Sequence, residues 1–248
     1  MKKHQLILLA GAALSLAPTA FAVTAEGLSD TTHITVGAAA PDNQGTHQAG
    51  GGEPGIGAKG FHGGKRVSFF NLASLTRNNR GGTMDKHGVS RIPASTANHR
   101  PNLGAFNFQQ VIGHEAYYGE WTQAGDTKGD TRTVYYSGRH KATNVPTAGT
   151  AIYHVKGINR YNGANLMAGT LRADFGKKTL HGALNNSSFT LGINAKIDPA
   201  KASFVGTATA PGQRGVTSGH FYGNRATGVA GIAKFQNRAY DTAFGGKR

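Results

Sequence analysis

The chain has 248 residues, no cysteine, and 27 lysines and arginines against 12 aspartates and glutamates, for a formal charge of +15. The missing cysteine excludes a disulfide framework, thiolate ligation of iron, iron–sulfur clusters and lipidation on cysteine. The charge suits acidic ligands, acidic partners or an anionic membrane. It does not point to nucleic acid, because the basic residues are scattered rather than clustered with aromatics.

Met1-Lys2-Lys3-His4 is a basic start, Leu6–Ala17 an apolar run, and Ala20-Phe21-Ala22 a small-x-small cleavage site. The pattern predicts a signal peptide over residues 1–22, cut after Ala22, and a secreted, extracellular product. Thr24–Gly64 is rich in glycine and poor in hydrophobics, which predicts long loops with one strand at His33–Val36. Gly55-x-Gly57-x-x-Gly60 matches the dinucleotide pattern, but no strand leads into it and no helix start follows. Phe61–Arg80 predicts a strand and a short helical turn, and Gly81–Asn107 a polar loop. So much loop in a compact domain argues that the N-terminal half is organised by a ligand or partner.

Phe106–Gln123 (FNFQQVIGHEAYYGEWTQ) is the most aromatic part of the chain, and Arg132–Gly138 reads as a strand. After a loop at Lys141–Gly149 come runs at Thr150–Lys156, Leu166–Phe175, Thr179–Leu184, Ser188–Ile197 and Ala202–Ala208. Three more follow at Ser218–Gly223, Gly228–Gln236 and Tyr240–Gly246. Ser188–Ile197 alternates, with Phe189, Leu191, Ile193 and Ile197 on one face. In Gly228–Gln236, Val229, Ala233 and Phe235 oppose Ala230, Ile232 and Lys234. Eight short antiparallel strands close into a small barrel filled by side chains. The expected fold is therefore all-β: a smaller loop-rich β handle over residues 23–148 and an eight-stranded antiparallel barrel over 149–248. No enzyme is expected. There is no G-x-S-x-G, no clustered acidic pair, and HEAYY lacks the second histidine of HExxH because Tyr118 stands there.

Three stretches occur in a recognisable order. Tyr118-Gly119-Glu120-Trp121, then Thr133–Gly138, then Asn144–Tyr153 resembles the handle–barrel junction of transferrin-binding protein B and its relatives. Gly219-His220-Phe221-Tyr222-Gly223, Gly231 and Ala243-Phe244-Gly245-Gly246-Lys247-Arg248 resembles the end of their C-terminal barrel. Without a lipidation cysteine, and with a single handle-plus-barrel unit, the chain is similar to the hemophilin-like branch. That resemblance implies a soluble haemophore exported by a dedicated outer-membrane translocon. It would take haem (haem b), some of it from haemoglobin, act as a monomer, and deliver haem to a TonB-dependent receptor. A host-protein-binding or adhesive module on the same fold is the alternative.

The resemblance brings no ligand motif, so the site is argued from the residues. Haem iron takes His, Met, Tyr or Cys, and histidine is the plentiful choice here. His114 is the first candidate, just before Tyr117, Tyr118 and Trp121, which supply aromatic walls; otherwise it is a loop histidine at the junction. His62, after Phe61 in a glycine-rich loop, is the candidate to ligate opposite it. His140 follows, then His87 and His99, while His154, His181 and His220 sit on expected barrel strands in structural or solvent-facing roles. Lys65, Arg66 and Arg100 are candidates for the propionates, since guanidinium and ammonium groups pair with carboxylates. The pocket is expected between the glycine-rich loops and the Phe106–Trp121 segment, not inside the barrel.

Overall fold

The computed structural model describes residues 24–41, 51–94 and 103–248. The expected signal peptide over residues 1–22, His47, His99 and Arg100 lie outside the described residues. The chain begins with β1 (Ala25–Leu28), β2 (Ile34–Ala38), β3 (Pro54–Ala58) and β4 (Val67–Ser68), followed by helix α1 (Phe69–Arg77). Then come β5 (Thr83–Met84), β6 (Ser90–Ile92), β7 (Ala105–Gln110), β8 (Ala116–Thr122) and β9 (Thr133–Gly138). The barrel is β10 (Thr150–Ile158), β11 (Met167–Asp174), β12 (Thr179–Asn185), β13 (Thr190–Asp198), β14 (Ser203–Ala210), β15 (Gln213–Tyr222), β16 (Gly228–Phe235) and β17 (Thr242–Lys247).

The molecule is mainly β, and the eight expected C-terminal strands close as an antiparallel barrel, with β17 pairing to β10. The N-terminal half is more ordered than its composition suggests. A six-stranded sheet runs β1-β9-β8-β7-β6-β5, and a three-stranded sheet β2-β3-β4 lies with α1. The expected short helical turn is a nine-residue helix. Ser68 caps it, its hydroxyl accepting from Asn71 N–H at 3.2 Å. Phe69, Leu72, Ala73 and Thr76 recur at helical spacing and are the buried face.

Three apolar layers stack. The first, between α1 with the small sheet and the six-stranded sheet, holds Ile34, Ile56, Phe69, Phe108, Tyr117, Trp121 and Tyr135. The second, between the six-stranded sheet and the barrel wall, holds Val111, Ala116, Tyr118, Tyr136, Tyr222, Ala230, Ile232 and Ala243. The third is the barrel interior, with Tyr153, Leu171, Phe175, Leu191, Ile193, Ile197, Phe204, Phe221, Val229, Ala233, Phe235 and Phe244. The expected split of β16 therefore holds: Val229, Ala233 and Phe235 face inward, and Ala230 and Ile232 face the handle. Phe189 sits just before β13, half-buried, with its ring 5.2 Å from Tyr240. Gly219 and Gly231 are a register pair, and a methyl group on either would meet the Phe204 ring. Their missing side chains are what let that ring fill the barrel.

Candidate functional site

The aromatic segment is β8, and the pleat sends its residues to opposite sides. Tyr117 and Trp121 point to the helix side. Tyr117 stacks on Phe69 at 5.1 Å, and the Trp121 indole N–H donates to Leu103 O at 2.9 Å. Tyr118 points to the barrel, where its hydroxyl donates to Gln109 Oε1 at 2.6 Å, and burial holds it neutral. Tyr117 and Tyr118 therefore serve different layers and cannot wall one pocket.

At the Tyr117 end of β8 lies a cleft of about 370 Å³, lined by Glu53, Pro54, Phe70, Gln110, Glu115, Tyr117 and Arg139. Phe70 is 61% exposed although it is a large aromatic, and Arg77 lies 5.7 Å above its ring. The Arg139 guanidinium is bidentate on Glu115, donating through Nε to Oε2 and through Nη2 to Oε1 at 2.9 Å. Glu53 Oε2, on the cleft wall, is buried without a hydrogen-bond partner, as are Tyr135 OH and Ser137 Oγ of β9. A larger cleft of about 730 Å³ opens at the other end of the sheet, with Thr122, Asn107, Ile92, Pro93 and Arg91 on its walls and the Arg91 guanidinium 5.7 Å above the Tyr161 ring. Among the described residues, neither wall carries a histidine.

His114 sits in the β7–β8 turn, between Gln110 and Glu115 of the smaller cleft. Its carbonyl accepts from Gln110 Nε2 at 2.9 Å, and its ring turns toward the barrel. There it is wedged against Gly223 and Gly228, where any side chain would run into it, with Nε2 3.5 Å from Thr227 Oγ1. Burial, aided by Lys247, lowers its pKa, so the imidazole is neutral at neutral pH. His140 is an exposed residue at φ 59 whose carbonyl accepts from Gly223 N–H at 3.2 Å, so it meets the same barrel turn as His114. His62 is elsewhere. It is exposed at φ 45, its ring against Phe61, beyond the Ala58 end of β3. That end lies near His33, which stacks on Trp121 at 6.1 Å, whereas His114 precedes Ala116 at the opposite end of β8. Seven residues of strand at about 3.3 Å each separate the two ends. The structure therefore does not assemble the expected His114–His62 pair around one iron. Among the described residues no group of three or more metal-ligating side chains is gathered either.

Of the expected propionate partners, Lys65 is exposed, and Arg66 already donates Nε to Ala38 O at 2.7 Å. Arg139, absent from the sequence candidates, is the guanidinium that reaches the smaller cleft. His87 has its carbonyl bonded to Gln109 Nε2 at 2.7 Å and shapes the β5–β6 turn. His154 and His181 are exposed on the barrel, as expected. His220 is half-buried, with Nδ1 2.8 Å from the Tyr136 hydroxyl, and burial lowers its pKa to about 4.

A buried ion pair that the sequence reading missed joins the two domains. Glu120 and Arg132 are almost fully buried at 2.7 Å. Glu120 also accepts from Arg160 N–H at 2.9 Å and Tyr161 N–H at 2.6 Å, while Arg132 donates to Arg238 O at 3.0 Å and Asp241 O at 2.7 Å. A lone carboxylate inside YYGEWT was the available signal, since a buried charge needs a partner.

Two family profiles match the chain: one described as the HphA N-terminal heme-binding domain over residues 17–133, and one as the HphA C-terminal domain over residues 143–248. Among solved structures, the apo haemoglobin receptor HpuA from Kingella denitrificans is 14% identical with a TM-score of 0.63, covering 94% of this chain and 88% of that one. HpuA in complex with human haemoglobin gives 15% identity, a TM-score of 0.63, and coverage of 94% and 89%. Transferrin-binding protein B from Neisseria meningitidis is 17% identical at a TM-score of 0.45, covering 64% of this chain and 36% of that one. At these identities the HpuA likeness is one of fold.

Proposed function

The chain belongs to the HphA family, and from that premise we propose that it is a secreted haem-binding protein that holds haem on its handle through a histidine. The family is one of binding proteins, not enzymes. The observation that carries the placement is the contrast between the two domains. The barrel interior is filled by Tyr153, Phe175, Phe204, Phe221 and Phe244, while the handle offers a cleft of about 370 Å³ beside an exposed phenylalanine. That volume lies within the range of ordinary cofactor pockets, roughly 300–1,000 Å³.

The residues of the Tyr117 cleft fit the group. Tyr117, Phe70 and Pro54 give apolar and aromatic walls, and Arg139 gives one guanidinium for a propionate, shared with Glu115. The carboxylates Glu53 and Glu115 on the same wall would repel a second propionate inside the cleft. His114 is our choice of ligand: it adjoins the cleft and is held in the neutral form that binds iron. Ligation requires its ring to leave the Gly223–Gly228 slot. A chain without cysteine has no thioether attachment, which excludes a c-type haem and leaves haem b as our choice.

Export past the expected cleavage site at Ala22, a haemoglobin source, a TonB-dependent receptor and a dedicated translocon complete the reading. Haemoglobin is suggested by the complex of the fold neighbour HpuA, and it is tested by mixing this protein with methaemoglobin and following haem transfer. The deciding experiment is haem titration of the purified chain. We expect a Soret band, a shifted maximum and faster haem loss in His114→Ala, and a parent spectrum in His62→Ala. A parent spectrum and off-rate in His114→Ala would make that ring a junction wedge only. No Soret band at all would favour the protein-binding module.

A further inference from the structure

The charge of the chain is unevenly divided. Residues 149–248 carry 13 lysines and arginines against three acids, while residues 23–148 carry 12 against nine. One of the three barrel acids, Asp241, is buried. The excess is therefore on the barrel's outer face, and the strand register shows where it gathers. Lys196 on β13 faces Val205 on β14, Thr207 faces Val216 on β15, and Val216 faces Lys234 on β16. Arg214, on β15, lies one pleat from Val216 on the same side. All five of Lys196, Val205, Arg214, Val216 and Lys234 are exposed, the valines at 67% and 60%.

None of the three cations makes an ion pair among the described residues, and the nearest acid on these strands, Asp198, is taken by Lys201 at 3.5 Å. None of the described clefts on the handle or at its junction is lined by this patch. It is a convex sheet surface with unpaired cations around two aliphatic side chains.

We propose that this face of the barrel, across β13 to β16, docks on an anionic lipid surface. Charge complementarity selects the partner. Cations near an acidic leaflet are attracted over about a Debye length, roughly 10 Å at 0.1 M salt, and short aliphatics between them enter the headgroup layer. A convex face without a cleft suits a laterally mobile array of headgroups better than one fixed small ligand. The handle sits on β16 and β17, so the patch adjoins the handle along β16, where Lys234 follows Ile232 on the same face. The inference does not depend on the haem reading.

The test is co-sedimentation of the full chain with phosphatidylcholine vesicles, with and without phosphatidylglycerol. We expect binding only with phosphatidylglycerol, falling as salt rises. The triple variant Lys196→Glu, Arg214→Glu, Lys234→Glu should lose about tenfold or more in partition. The control Arg80→Glu, Lys86→Glu, Lys128→Glu changes net charge equally at exposed handle positions and should keep most of it. Val205→Thr with Val216→Thr should weaken the binding that survives high salt. Circular dichroism checks that each variant keeps the parent fold. Equal losses in the two triple variants would reduce the effect to net charge and overturn the proposal. So would equal binding to neutral vesicles, or capture by an acidic protein without any binding to phosphatidylglycerol.

Discussion

The barrel and the handle are both antiparallel sheet, yet they differ in how many faces each sheet keeps dry. In β10 to β14 one face meets water, and buried and exposed residues largely alternate, most regularly over residues 150–157. In β8 and β9 every residue is buried, because α1 covers one face and the barrel the other. The barrel stands on repetition, eight strands each contributing between one and four inward side chains. The handle stands on a few large aromatics and on the Glu120–Arg132 pair. Single substitutions should therefore be tolerated differently in the two domains.

The sharpest way to break the comparison is Glu120→Ala. It leaves the Arg132 guanidinium buried without its carboxylate and removes the acceptor for two backbone N–H groups of the loop after β10. We expect a loss of about 3–5 kcal/mol in chemical denaturation, the range for breaking a buried pair. The handle should also become the first region to be cut by protease. An intact single transition with a loss near zero would mean that the domains do not depend on this pair.

Leu191→Ala tests the barrel alone. Leu191 is fully buried in the interior cluster, so the cost should be about 2–5 kcal/mol in urea melts, with no change in handle proteolysis. A smaller effect, about 1 kcal/mol, is expected from Ser68→Ala, which removes the cap of α1. It should show as faster amide exchange in α1 and leave the barrel strands unchanged.

The mildest probe at neutral pH is acidification. His220 titrates near 4 in the folded protein and near 6.5 when unfolded. The unfolded chain therefore binds the proton more readily, and stability falls as the pH drops from about 6.5 toward 4, then levels off. His114, shifted in the same direction, adds to the slope. His220→Asn should flatten part of it, and an unchanged slope would locate the acid sensitivity elsewhere.

What could be read in the sequence follows from the same difference. Period two exposed β13 and the two faces of β16, because each has one side of a kind. It could not assign β8, where Tyr117 and Tyr118 are equally apolar and only the tertiary layers decide which serves the cleft. β1 (AEGL) was invisible because its partner, β9, is more than a hundred residues away and no alternation survives in four residues. His114 was found by its aromatic neighbours, but the direction of its ring depends on two glycines of the barrel turn. Arg139 was missed as a cleft residue because it follows the last strand of the handle, where nothing local marks a charge as inward.

Strand β17 is a neighbour to more than β10 and β16. Its Gly245 receives the Tyr118 ring and Val111, and its Ala243 belongs to the layer beneath the handle. The handle thus completes its floor only when β17, the strand that closes the barrel, is in place. Synthesis runs from handle to barrel, but structural support runs from barrel to handle. A nascent chain still lacking residues 242–247 lacks both the strand that closes the barrel and the strand that seats the handle.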